Sequence, residues 1–188
     1  MGGAMTWVSE RHLVAAISNG GGFGTIACGA MTPDILRQEI QGTKALTQKP
    51  FGVNLITLHP QLDQLIDICL SEKTSHIVLA GGLAPATAIK KVKDGGVKLM
   101  CFTPTAAFGK KLVRMGADAL IIEGMEAGGH IGPVSTSVLA QEILPEIRNV
   151  PIFLSRAALD AAKRFCLILK WGLRASSLVH ALSAPPKV

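Results

Sequence analysis

The sequence has no tyrosine and only two tryptophans among its 188 residues. A chain so poor in stacking aromatics, with no run of Lys and Arg set between them, offers little to nucleic acid despite a net charge of +6. Its basic residues are scattered along helix-like segments (Lys44, Lys49, Lys90, Lys91, Lys93, Lys110, Lys111), and the mild surplus suits a phosphate-bearing cofactor. Cysteine is also scarce. Cys28, Cys69, Cys101 and Cys166 form no CxxC pair and sit in apolar surroundings, which reads as small buried hydrophobes in a reducing compartment. The five histidines are far apart in sequence, so no metal site is expected. No uninterrupted apolar run reaches about 18 residues, and no basic region precedes an apolar core at the N-terminus. Neither a membrane span nor a secretory signal is expected, and the compartment implied is the cytoplasm.

What the chain has is apolar content, 48% hydrophobic against 17% charged residues. That balance fits a buried parallel sheet covered by helices. Residues 1–5 read as the tail of a strand and its loop. Ser9 is placed to cap a helix over 10–18, ended by Asn19 and the glycines after it. A strand follows at 23–27, and Thr32-Pro33 opens a helix to about residue 46. Strands at 51–56, 76–80, 97–102, 119–122 and 150–154 alternate with helices at 59–71, 85–94, 105–115 and 135–147. The repeat of roughly 22 to 28 residues implies parallel strands joined by right-handed crossovers. About seven such repeats predict an α/β fold of the (β/α)8 barrel type rather than an open doubly wound sheet. The chain is short for it, since an eight-strand barrel needs at least about 200 residues. The barrel is therefore expected to be incomplete, with its last strand missing or replaced.

The pattern breaks after Ser155. A parallel barrel calls there for a glycine-rich loop, a helix, the eighth strand and a second loop, the two loops holding a ligand phosphate on backbone N–H groups. None of these is legible in residues 156–188. With permissible codons, a one-base shift of frame from Ser155 onward yields those missing elements in order. The expected layout is thus a partial barrel domain, 1–155, followed by an out-of-frame tail, 156–188.

The chain is organised around residues 121–132, Ile-Ile-Glu-Gly-Met-Glu-Ala-Gly-Gly-His-Ile-Gly. A short buried strand breaks there into a loop with four glycines, one histidine and two carboxylates. Glycine lets the backbone turn sharply and approach a ligand closely. A polar, ionisable loop at the C-terminal end of a parallel strand is where α/β proteins place their chemistry. The plainer alternative is an ordinary strand-to-helix loop with a surface histidine.

Four motifs stand in one order and spacing: Asn19-Gly20-Gly21-Gly22-Phe23-Gly24, Lys49-Pro50-Phe51-Gly52-Val53-Asn54-Leu55, Gly116-Ala117-Asp118 and Glu126-Ala127-Gly128-Gly129-His130. Over residues 1–155 the chain resembles the nitronate monooxygenases, once called 2-nitropropane dioxygenases, and equally their relatives the flavin-dependent enoyl-acyl-carrier-protein reductases. The resemblance implies an FMN-binding barrel and a small-molecule substrate. Gly2, Gly3, Ala4 and Met5 would line the flavin, and Asn54 would hydrogen-bond it. Glu123 would stand at the end of its strand, Ala127, Gly128 and Gly129 would pass close to the cofactor, and His130 would be the catalytic base. Some nitronate monooxygenases carry a lysine near the flavin where this chain has Phe102, a departure that leans toward the reductases. The two activities implied are oxidation of alkyl nitronates by dioxygen and reduction of an enoyl thioester by NAD(P)H. A third reading, from the altered tail, is a non-catalytic remnant with weak or no FMN binding. Read from the residues alone, Asn54 is either a cofactor contact or a strand-end polar residue. Met1 and Met5 either face the flavin or fill the core, and Gly81-Gly82 either line the mouth or merely turn the chain. His59 and His76 read as structural.

Overall fold

The computed structural model describes residues 1–128 and 131–155. Six strands, β1 (Thr25–Ala27), β2 (Gly52–Ile56), β3 (His76–Ala80), β4 (Lys98–Thr103), β5 (Ala119–Glu123) and β6 (Ile152–Ser155), alternate with six helices. The helices are α1 (Arg11–Asn19), α2 (Pro33–Leu46), α3 (Leu62–Ser71), α4 (Ala86–Asp94), α5 (Ala106–Arg114) and α6 (Thr136–Glu146). All pairings are parallel and the spatial order is the chain order, β1 to β6. An open doubly wound sheet reverses its strand order at a switch point; this sheet does not. Among the described residues it is an incomplete (β/α)8 arrangement, with α2 to α6 each a crossover between neighbouring strands and α1 leading into β1.

The strands are apolar on both faces because both faces are buried. On one face Ile26, Val53, Leu55, Ile77, Leu79, Leu99, Cys101, Leu120 and Ile122 join helix residues such as Val14, Leu36, Leu65 and Ile89 in the main core. On the other, inner face, Val78, Met100, Ala119 and Ile121 form a second cluster, flanked by Met1, Phe102 and Phe153. The register places Phe102, Ile121 and Phe153 side by side across β4, β5 and β6.

Helix starts follow the sequence signals at three places. Thr32, Thr105 and Ser135 cap α2, α5 and α6, accepting from the N–H groups of Ile35, Phe108 and Val138. The expected cap at Ser9 is not used. Glu10 caps α1 instead, accepting from the N–H groups of His12 and Leu13 at 3.0 Å. Ser9 Oγ donates to the Gly3 carbonyl at 2.8 Å and accepts from Met5 N–H at 3.0 Å. A buried hydroxyl within reach of two unpaired backbone groups satisfies more there than at an exposed cap. Residues 1–5 are correspondingly an irregular segment and not the tail of a strand, so among the described residues six strands form where about seven were expected. That segment still follows the outer edge of β1, with Gly2 N–H on the Phe23 carbonyl at 2.8 Å and Ala27 N–H on the Ser9 carbonyl at 3.0 Å. The tail expected over 156–188 lies outside the described residues.

The close approach of α1 to β1 depends on Gly24. A Cβ there would stand 2.4 Å from the Val14 carbonyl oxygen and 2.9 Å from Val14 Cα. Backbone cannot swing aside as a side chain does. Gly24→Ala is therefore expected to lower unfolding free energy by about 1–3 kcal/mol, measured as a fall in the urea midpoint at constant m-value.

Candidate functional site

The C-terminal ends of the strands gather the N-terminal segment and the described residues at 28–32, 57–61, 81–85, 104–105, 124–128 and 131–135. Asn54 lies on β2 in register with Ala27 on one side and Val78 on the other. By alternation with the core residues Val53 and Leu55, it shares the inner face with Val78. It is 8% exposed, and among the described residues its carboxamide has no hydrogen-bond partner. Its carboxamide atoms are not sealed from solvent, so the residue presents an open donor and acceptor on the inner face. The hydroxyls of Thr57, at the mouth end of β2, and of Thr25, level with Gly52 and His76 at the other end of the sheet, are buried without a described partner. Thr57 sits under the turn after β3, where Gly81 and Gly82 take φ of 78° and 147°. A Cβ on Gly82 would stand 3.0 Å from Thr57 Oγ1. The turn packs on the end of β2 and needs glycine in that conformation.

Glu123 ends β5 opposite Ser155 and shares the inner face with Ile121 by alternation. Gly3 and Met5 are half-buried and Ala4 is exposed. Gly2 is half-buried, and a Cβ on it would meet Ile17 Cδ1 at 2.6 Å, which is a packing reason for glycine there. Met1 packs against the inner cluster. Ala127 is buried and Gly128 exposed on the loop after β5. Gly129 and His130 lie outside the described residues.

The loop after β5 is closed at its base. Met125 N–H donates to the Val134 carbonyl at 2.9 Å, Ala127 N–H to the Gly124 carbonyl at 3.1 Å, and Gly132 N–H to the same carbonyl at 3.3 Å. Glu126 Oε2 accepts from both the N–H and the hydroxyl of Thr136, each at 2.6 Å. Sequence reasoning grouped Glu126 with the loop's polar residues and missed this contact. No fixed spacing links a loop carboxylate to a helix start ten residues on, unlike a capping box.

Around this mouth several apolar side chains are exposed: Trp7, Leu58, Leu83, Met125 and Ile131, the extreme being Leu58 at 81%. None of the 19 Lys and Arg falls in the mouth segments named above. Charge collects at the opposite end. Lys93 and Lys98 both pair with Asp118, at 2.6 and 3.3 Å. Asp118 also accepts from the Leu99 N–H at 2.8 Å. His76 packs edge-on against Phe23, ring centres 4.8 Å apart, with Nδ1 3.0 Å from Ser75 Oγ. His59 Nδ1 accepts from Gln61 N–H at 3.1 Å. Both histidines serve local structure. Cys28, Cys69 and Cys101 are buried and free. Burial pushes the Cys28 and Cys101 thiols up to about 12, so neither is a ready nucleophile; Cys166 lies outside the described residues.

The ionisable groups away from the mouth give a pH dependence. Burial lowers the pKa of His76, with Asp118 opposing and Lys98 reinforcing. Burial alone would raise Asp118 and Glu39. Hydrogen bonds from Lys93, Leu99 N–H and Lys98 outweigh it at Asp118, as those from the Arg11 side chain and N–H do at Glu39, and both carboxyls lie below their ordinary range. Each folded pKa is depressed, so each contribution is full above the unfolded value and lost as pH falls through the folded one. Urea stability should hold near pH 8, begin to fall below 6.5 as His76 is forced to protonate, and fall further below 4.5 as Glu39 and Asp118 do. Removing the imidazole by His76→Gln should flatten the upper part of that curve and leave the lower part.

A parallel βα sheet in chain order, with glycine-turned loops and an apolar rim at the strand ends, defines a barrel-type protein. The profile of the nitronate monooxygenase family matches residues 1–67 and 60–153, and the chain belongs to that family. It is 38% identical over 149 residues to (3aS,4S,5R,7aS)-5-hydroxy-7a-methyl-1-oxo-octahydro-1H-indene-4-carboxyl-CoA dehydrogenase of Rhodococcus jostii, covering 79% of this chain and 41% of that protein. It is 26% identical to nitronate monooxygenase of Paraburkholderia phytofirmans, covering 96% of this chain and 62% of the relative. The structure of FabK from Thermotoga maritima superimposes with a TM-score of 0.86 at 35% identity, covering 93% of this chain and 55% of that one. The chain thus spans about two fifths to three fifths of the length of these relatives. Among the described residues no helix is long and apolar enough to cross a membrane.

Proposed function

We propose that the chain belongs to an FMN-dependent oxidoreductase that oxidises alkyl nitronates or nitroalkanes with dioxygen. The observation that carries the reading is Asn54, a carboxamide 8% exposed on the inner face with no described partner. A planar ring edge rich in donors and acceptors satisfies such a group, and the partnerless hydroxyl of Thr57 at the end of the same strand fits a site meant to receive polar atoms. Gly2, Gly3, Ala4 and Met5, Glu123, and Ala127, Gly128 and Gly129 are the further residues to which we assign the holding of the cofactor. Electron transfer is the chemistry that FMN supplies when bound.

The chain's own residues bind, orient and move a proton. His130, an imidazole side chain of the kind suited to proton transfer near neutral pH, takes the α-proton from the carbon of a nitroalkane. The apolar rim of Trp7, Leu58, Leu83, Met125 and Ile131 receives the alkyl body and excludes water from it. The inner row of Phe102, Ile121 and Phe153 continues that apolar surface inward.

A second reading, reduction of an enoyl thioester with NAD(P)H, is favoured by a specific observation. The CoA dehydrogenase and FabK, at 38% and 35% identity, are nearer than the nitronate monooxygenase at 26%. Anaerobic mixing separates the two. Bleaching of the flavin by a nitronate and not by NAD(P)H supports the first, and rapid bleaching by NAD(P)H supports the second. A full-length chain that takes up no FMN on reconstitution sinks both and leaves a non-catalytic remnant. The reading includes a partial barrel domain over 1–155 and an out-of-frame tail over 156–188. Coding DNA in which no one-base change near codon 155 restores a glycine-rich continuation overturns that layout.

A further inference from the structure

The carboxylate of Glu126 does something that a solvent-facing loop residue would not. It reaches the first residue of α6 and accepts from the Thr136 N–H and hydroxyl together. Thr136 is 1% exposed, so both donors would be buried and unsatisfied without it. Gly124 lies directly beneath this contact. A Cβ on it would stand 2.3 Å from the Thr136 nitrogen and 2.4 Å from its hydroxyl oxygen, so nothing larger fits between the loop's first residue and the helix. Ser135 separately caps the helix through Val138 N–H. The Glu126 contact is thus an added tie between the two ends of a ten-residue span. A negative charge at a helix N-terminus is itself favourable.

We propose that Glu126 is a positioning residue: by gripping Thr136 it fixes both ends of the span that carries Gly128, Gly129 and His130, and so sets where the imidazole works. The catalytic consequence rests on the reading of His130 given above; the grip itself does not.

The test uses the full chain without flavin or substrate. Amide hydrogen exchange is followed at Met125 and Gly132, whose N–H groups close the loop base, with Leu120 N–H in the sheet as reference. The ring titration of His130 is followed by NMR, with the exposed His12 as internal control. Glu126→Ala should speed exchange at Met125 and Gly132 roughly tenfold, the scale of a lost helix cap, and shift the His130 titration, leaving Leu120 and His12 unmoved. Glu126→Gln, whose amide oxygen accepts from the same two donors though it carries no charge, should restore slow exchange at Met125 and Gly132. Thr136→Val, which removes only the hydroxyl, should give part of the change and guards against a Glu126→Ala chain that does not fold. Unchanged exchange at Met125 and Gly132, equal acceleration at Leu120, an unmoved His130 titration, or no rescue by glutamine would each overturn the proposal. Absence of flavin bleaching would sink the proposed function and leave these readouts intact.

Discussion

Replacing His130 with alanine is expected to lower turnover by roughly 10²–10⁴-fold, the range a positioned general acid–base supplies. The reaction proposed requires a proton to leave a carbon, and that carbon acid needs an acceptor that is neutral near pH 7. Imidazole is the side chain that meets this without a large shift. Glu123 and Glu126 are the other ionisable groups of the same stretch, and Glu126 is engaged with the start of α6. The mark that separates a base from a packing residue is the pH profile. Wild-type kcat/KM should carry a limb near an imidazole value, about 6.5, and His130→Ala should lose that limb while flavin content is retained. A fall smaller than tenfold, or a limb that survives, removes His130 from the chemistry.

The largest expected loss of stability is at Leu120. It is wholly buried on the helix-facing side of β5. Its Cδ1 closes against α5, so that a Cβ added to Gly109 would lie 3.1 Å from it. Leu120→Ala should cost about 2–5 kcal/mol, the transfer of the lost methyl groups plus the cavity they leave. That is a large fraction of the 5–15 kcal/mol or so typical of whole domains. The measurement is the urea midpoint at constant m-value, with Leu83→Ala as the comparison. Leu83 is 65% exposed at the mouth, and its truncation should change stability by less than about 0.5 kcal/mol.

The barrel-type order was legible because each strand is a continuous apolar run between a glycine or proline stop and a helix of clear period. Both-face burial writes itself into composition. The caps at Thr32, Thr105 and Ser135 were legible because their donors lie within one turn. Ser9 misled for the complementary reason: its hydroxyl is spent on Gly3 and Met5, residues that local spacing does not connect to it. The first strand failed to form from residues 1–5 although Gly2 still bonds to Phe23, because one ladder bond does not make a strand. At the site, Asn54 was legible as a polar interruption of a buried run. The grip of Glu126 on Thr136 was not, since it joins two loop ends whose approach is decided only when β5 and α6 pack.

The run of neighbours from β1 to β6 in chain order has a consequence for how the molecule is made. Each new unit docks on the one synthesised just before it, so the sheet grows vectorially with short loop closures and little long-range search. The segment 2–9 is bonded along the far side of β1. It blocks the edge at which a stray strand from another nascent chain would add, and directs growth toward the side where the next unit arrives.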